Sequence, residues 1–110
     1  MQKTVNANAY RTPTLWVEID TLRVPVAVPT LAVAESIMAR AAEVAKLTEG
    51  LTEEGLREAF ELLATVLSCN HNYAKYSADD LMARNITVDQ IIGLLTDYIK
   101  FLGDVADAKN

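Results

Sequence analysis

Two short runs near the start of the chain alternate between apolar and other residues with a period of two, which is typical of strands buried on one face. The apolar members are Leu15, Val17 and Ile19 in the first run, then Leu22, Val24, Val26 and Val28 in the second. A two-residue turn at Asp20-Thr21 pairs these positions with each other, whereas a one-residue shift mixes the two faces. The pattern therefore predicts an antiparallel β-hairpin. Its weak point is the turn, because Asp-Thr is not a favoured turn pair.

The same register places charged residues and a proline on the second face of the hairpin. Glu18 comes opposite Arg23, which predicts a cross-strand ion pair. Pro25 falls at a pair that exchanges no hydrogen bonds, so its missing N–H lies on the outer edge of the second strand. We therefore expect that edge to be blunted against further pairing. The outer edge of the first strand carries no proline, so either a partner strand or the N-terminal tail covers it.

Four segments after the hairpin have apolar residues at helical spacing and a polar cap before them. They span about 31–47, 53–68, 78–84 and 88–103, with Thr30, Thr52, Ser77 and Thr87 as the respective N-caps. Thr87 and Gln90 also form a capping box. The sequence thus predicts an α+β fold that is mainly α: an N-terminal β-hairpin followed by a small bundle of about four helices. We expect one domain over residues 1–110, with flexible tails at 1–12 and 104–110.

Length and charge exclude several classes of protein. A chain of 110 residues fits one domain, and its net charge of -5 argues against nucleic acid as the main partner. No run approaches the roughly 20 apolar residues of a membrane span, and the first ten residues lack the apolar stretch of a signal peptide. We therefore expect a cytosolic protein. One Cys and one His rule out a disulfide framework and make a zinc site improbable.

The fourth helix has an unusually wide apolar face. A first stripe consists of Val88, Ile91, Ile92, Leu95, Ile99 and Leu102. Leu94, Tyr98 and Phe101 widen that stripe to about half of the helix circumference. Either two elements of this chain pack on the helix, or part of the face contacts another chain. The first interpretation is favoured, because small bundles often enclose their last helix.

The sequence offers few residues for catalysis or for a cofactor. Cys69 and His71 are two positions apart at a helix end, whereas a thiolate and its base usually meet across a cleft. Asp79 and Asp80 lie in the first turn of a short helix, where acids are expected for capping and dipole reasons. For both pairs a structural role is the favoured interpretation. We therefore predict no catalytic residue, no metal site and no cofactor.

The polar loop that follows the second helix contains two tyrosines. Tyr73, Lys75 and Tyr76 fit a contact patch, because tyrosine offers both area and a hydroxyl group to an interface. The favoured alternative is that one of them packs over the helix ends. If the chain binds a partner, the predicted contact residues are Leu94, Tyr98, Phe101, Tyr73 and Tyr76.

Several segments of the chain resemble the small tail assembly chaperones of long-tailed phages and prophages. The resemblance lies in Val66-Leu67-Ser68-Cys69-Asn70, Tyr76-Ser77-Ala78-Asp79-Asp80-Leu81, Ile86-Thr87-Val88-Asp89-Gln90-Ile91-Ile92 and Tyr98-Ile99-Lys100-Phe101. The hairpin leading into a helix, from Val17 to Leu31, also looks like the start of such proteins. Together these segments cover about a third of the chain clearly. The Cys-Asn-His-Asn stretch at 69–72 departs from the more charged loop expected of the family.

The resemblance implies a non-enzymatic role in the cytoplasm of a host bacterium. Such chaperones bind the long, helical, aggregation-prone tape-measure protein while tail-tube subunits assemble around it, and they are generally absent from the finished virion. Many are also made in a longer form by ribosomal frameshifting. The resemblance implies no role for individual residues. The sequence leaves open whether copies of this chain associate with one another.

Three other functions remain to be distinguished from this one. A structural or head–tail joining component of the same particles would be present in purified virions. A small enzyme would lose its activity when Cys69 and His71 are replaced by alanine. A DNA-binding regulator would be retained on DNA in a salt-dependent way, although the acidic composition weighs against it.

Overall fold

The computed structural model describes residues 13–48 and 52–108, and it has the predicted α+β, mainly α architecture. Its elements are β1 (Thr14–Ile19), β2 (Leu22–Ala27), α1 (Leu31–Thr48), α2 (Glu53–Ser68), α3 (Ala78–Met82) and α4 (Val88–Ala108). The predicted tail at 1–12 lies outside the described residues. None of the described helices combines the length and the hydropathy needed to cross a bilayer.

The hairpin has the predicted register. Ile19 pairs with Leu22, Val17 with Val24 and Leu15 with Val26. The Glu18 carboxylate lies 3.2 Å from the Arg23 guanidinium across the two strands. The unfavoured turn forms with Asp20 at a φ of 53°. Asp tolerates this left-handed conformation better than most residues because its short side chain can bond locally.

The turn is held from outside the hairpin. The Arg84 guanidinium donates a hydrogen bond of 3.1 Å to the Thr21 hydroxyl and lies 3.6 Å from the Asp20 carboxylate. Arg84 follows α3, so this contact connects the tip of the hairpin to the α3–α4 connection.

The outer edge of β2 is not blunted, which corrects the expectation drawn from Pro25. Val26 forms an isolated antiparallel bridge with Asn70. The Ala27 N–H donates to the Cys69 carbonyl at 2.8 Å, and the His71 N–H donates to the Pro25 carbonyl at 3.1 Å. The proline lacks only a donor, and this short bridge uses its acceptor instead. The segment after α2 therefore closes this side of the sheet.

The helix N-termini have the predicted caps. The Thr52 hydroxyl accepts from the Gly55 N–H at 3.0 Å, and Ser77 accepts from the Asp80 N–H at 3.2 Å. At α4 the box is reciprocal: Thr87 accepts from the Gln90 N–H, and the Gln90 side chain accepts from the Thr87 N–H. These bonds satisfy backbone donors that the helices leave unpaired.

Two helix ends differ from the prediction. The helix α3 ends at Met82, two residues earlier than expected. The helix α4 continues past Gly103 to Ala108, so the prediction of a flexible tail from 104 is wrong as far as 108. The extra turn includes Val105, which is buried. Burial of this apolar side chain favours continuation of the helix, and positions 109–110 lie outside the described residues.

The core is built around α2. This helix contacts α1, α3, α4 and β2. These neighbours cover several sides of α2, so the helix is buried on more than one face. Its fully buried side chains are Ala59, Leu62, Leu63, Val66 and Leu67. The helix α4 in turn packs against α1, α2 and β1, so its wide apolar face serves mainly this chain's own core, as the favoured interpretation predicted.

Candidate functional site

The structure separates the five predicted contact residues into three environments. Tyr98 is fully buried, so it cannot contact a partner while the chain is folded, and that part of the prediction is wrong. Leu94, Phe101 and Tyr76 are half-buried and pack against the core. Tyr73 is 91% exposed at a φ of 57°. Of the two loop tyrosines, Tyr76 therefore packs over the helix ends as favoured.

Tyr98 has an unusual environment for a tyrosine. Its hydroxyl group is buried, and the described residues provide it with no hydrogen-bond partner. Burial, and to a smaller extent the electrostatic interaction with Cys69, raise the pKa of Tyr98 to about 12. Tyr98 is therefore held in its neutral form inside the core, where it fills volume at the cost of an unsatisfied donor.

An open apolar groove of about 270 Å³ lies between α1 and α4, and we call it the α1–α4 groove. Its apolar lining includes Met38, Ala41, Ala45, Ile92, Leu95 and Ile99. Ile92 lies on the apolar stripe predicted for α4, yet it is 38% exposed, and Met38 on α1 is 49% exposed. The alanines of α1 are too short to fill the space between the two helices, so apolar surface remains in contact with water.

A second groove of about 270 Å³ lies between the end of β1 and the middle of α4, and we call it the β1–α4 groove. It is lined by Glu18, Ile19, Gln90, Gly93, Leu94 and Asp97. Leu94, one of the predicted contact residues, is thus at a surface depression. Among the described residues no basic side chain pairs with Asp97.

The outward face of the hairpin carries the single tryptophan of the chain. Trp16 is 52% exposed, and the Arg23 guanidinium lies 4.1 Å from the centroid of its ring. Such a cation–π contact is worth about 0.5–1 kcal/mol at an exposed site. On the same side of the molecule, the Thr14 hydroxyl lies 3.0 Å from Nε2 of His71. Sequence reasoning did not single out Trp16, although an aromatic residue on the polar side of a hairpin was a usable signal.

Cys69 and His71 have structural contacts in this arrangement. The Cys69 backbone closes the end of α2 through a hydrogen bond from its N–H to the Val66 carbonyl at 3.2 Å. The His71 ring is engaged by Thr14, and the described residues show no hydrogen bond between the imidazole and the thiol. The two residues therefore flank the bridge to β2 and are not brought together as a nucleophile and a base.

The acidic pair at the start of α3 also has a structural environment. Asp79 lies 3.5 Å from the Arg57 guanidinium on α2, and Asp80 contributes its N–H to the Ser77 cap. Within 13–48 and 52–108 there is no group of three or more residues of the kinds that bind metal ions.

Asn70 is a key residue that sequence reasoning missed. Its side-chain amide donates to the Leu67 and Ala74 carbonyls, both at 2.8 Å. Its side-chain oxygen accepts from the N–H groups of Asn72 and Ala74, at 2.9 and 3.0 Å. One side chain thus organises the whole turn after α2. The available signal was an asparagine next to a helix end, where such side chains often bond to the backbone.

Comparisons with known proteins do not assign the chain to a group: no protein-family model, no curated protein and no solved structure matches it.

Proposed function

We propose that this chain is a tail assembly chaperone of a long-tailed phage or prophage, which binds the tape-measure protein without catalysing a reaction. The proposal starts from the resemblance in the segments that end α2, begin α3 and begin α4. Tail-tube subunits are a second expected partner. We expect the protein in the cytoplasm of the host bacterium.

The observation that carries the proposal is the α1–α4 groove. Its walls are two helices, its lining is apolar, and Met38 and Ile92 expose large side chains at it. Amphipathic helices bind in grooves of this kind through apolar side chains at helical spacing. A tape-measure protein is long and helical, so it offers such stripes before the tail assembles.

The charge of the chain fits the same role. A chaperone that exposes apolar surface must itself stay in solution, and net charge well away from zero favours this. The chain carries 15 acidic and 10 basic residues.

Co-expression with a candidate tape-measure protein tests the proposal. We expect the client to remain soluble and to co-elute with this chain in size-exclusion chromatography. A double variant, Met38→Glu with Ile92→Glu, should lose both effects, because it places charges in the groove. Val33→Glu is the matched control, since Val33 is an exposed apolar residue of α1 that does not line this groove.

Two outcomes would contradict the proposal. The first is a client that is equally insoluble with and without this chain. The second is this chain in purified virions, which would indicate a structural or head–tail joining component instead.

A further inference from the structure

Within the described residues, the backbone of β1 is open along one edge. In this hairpin the pairs that exchange hydrogen bonds are Ile19 with Leu22 and every second pair after it. The N–H and C=O groups of Thr14, Trp16 and Glu18 therefore point away from β2. The described residues provide no hydrogen bond to these backbone groups. This edge is thus a template for one more strand.

The β1–α4 groove lies beside the end of β1, where Glu18 and Ile19 line it, and offers space for side chains. A strand added to β1 would direct every second side chain toward α4. The space beside Gly93 is open: a β-carbon built there would have no described atom within 4 Å. Leu94 supplies an apolar contact in the same groove. The geometry therefore admits an extended chain between β1 and α4.

The charged groups at the groove favour particular residues in a bound segment. Asp97 lies at its wall without a basic partner among the described residues, and Glu18 lies at the other wall, where exposed Arg23 alone balances it. A residue of an added strand opposite Glu18 would lie on the outward face, and the neighbouring residues would face Asp97 and Leu94. Lys or Arg is favoured where a side chain of the added strand faces Asp97, because opposite charges attract. The alternate residues then lie on the outward face beside exposed Trp16, where apolar side chains fit.

We propose that an extended segment of a partner protein, carrying alternating basic and apolar residues, binds as a third strand on β1 in the β1–α4 groove. This proposal rests on the edge and the groove and holds whatever the identity of the client. A second copy of this chain is a poorer occupant, because it would bring its own Glu18 and Asp97 to the same groove.

Three synthetic peptides test the proposal on the full chain. The first has seven residues, with three lysines alternating with two valines and a threonine at each end. The second has glutamate in place of lysine. The third is the lysine peptide with N-methyl groups on the backbone nitrogens that would face β1. Fluorescence of Trp16, the single tryptophan, reports binding at this strand, and amide chemical shifts locate it.

We expect the lysine peptide to bind roughly tenfold more tightly than the glutamate peptide, because attraction to Asp97 becomes repulsion. N-methylation should abolish binding, since it removes the strand hydrogen bonds and leaves the side chains unchanged. The largest amide shifts should fall at Trp16 and Glu18. Asp97→Lys should weaken binding of the lysine peptide about fivefold. Glu43→Lys, which changes net charge equally on α1, should leave that binding nearly unchanged.

The proposal is overturned if the lysine peptide shows no binding at millimolar concentration, if N-methylation has no effect, or if the two unmodified peptides bind equally well. These results leave the tape-measure experiment untouched, because that experiment depends on the α1–α4 groove and on client solubility. The two proposals can therefore fail separately.

Discussion

Asn70 and Val26 form a single antiparallel bridge that joins the end of α2 to the outer edge of β2. The bridge holds because the Asn70 side chain fixes its own loop with four hydrogen bonds. The loop backbone then presents the Cys69 carbonyl and the His71 N–H to β2. One side chain thus couples the helical part of the fold to the hairpin.

Replacement of Asn70 by aspartate should lower the free energy of unfolding by roughly 2–3 kcal/mol. A carboxylate cannot donate, so the bonds to the Leu67 and Ala74 carbonyls become contacts between acceptors. Urea denaturation measures the change. Asn72→Asp, at an exposed position of the same loop, is the control and should change stability by less than about 0.5 kcal/mol. Equal effects of the two substitutions would contradict the role of Asn70.

Replacement of Tyr98 by phenylalanine should raise the free energy of unfolding by about 1 kcal/mol. The substitution removes a buried hydroxyl that lacks a partner among the described residues and keeps the ring that fills the core. Thermal and urea denaturation both measure this change. Tyr73→Phe, at a residue that is 91% exposed, should have almost no effect. A loss of more than about 1 kcal/mol in the Tyr98 variant would mean that the hydroxyl has a partner in solution.

The raised pKa of Tyr98 predicts a particular dependence of stability on pH. An unfolded tyrosine has a pKa of about 10, and the folded value is about 12. Below pH 10 both states hold the proton, and above it the unfolded state loses the proton first. Stability must therefore fall as pH rises through this range, by about 1 kcal/mol between pH 10 and 11.

Tyr98→Phe separates this effect from other titrations. The difference in unfolding free energy between the native chain and the variant should be constant from pH 7 to about 9. From about pH 9 to pH 11, the unfolding free energy of the native chain should fall relative to that of the variant. A flat difference across the whole range would show that Tyr98 ionises equally in both states.

The N-cap of α2 gives a prediction about the central helix. Thr52→Ala should lower the free energy of unfolding by about 1 kcal/mol, because the Gly55 N–H loses its acceptor. Thr52→Ser keeps the hydroxyl and should recover most of the loss. Chemical denaturation of the three proteins checks both statements. If serine and alanine behave alike at position 52, the hydroxyl is not the stabilising group.

Local patterns predicted the hairpin and the helix starts because their causes lie within a few residues. The register follows from the apolar alternation in both strands, and each cap requires only a hydroxyl and an N–H three residues later. Ion pairing of Glu18 with Arg23 followed from the same register. For the candidate site, Leu94 is half-buried and Tyr73 is exposed, and their contact with a partner stays a prediction.

The features that were missed depend on contacts between distant parts of the chain. Tyr98 was assigned to a contact surface, but α1, α2 and β1 pack against α4 and leave this side chain fully buried. The turn at Asp20 is supported by Arg84, which is more than 60 positions away in sequence. The extension of α4 depends on burial of Val105, which no spacing rule for a helix end reveals. The grooves arise from side chains that are too short for the space between elements.

Because the loop after α2 covers the outer edge of β2, the two edges of the sheet differ. In the part of the chain that the structure describes, hydrogen bonding to an incoming strand is open at β1 alone. A sheet with one open edge can bind one added strand but cannot grow in both directions. The opposite edge offers no row of unpaired N–H and C=O groups to a next strand. A third strand on β1 would therefore not template a further strand on the opposite side of this sheet.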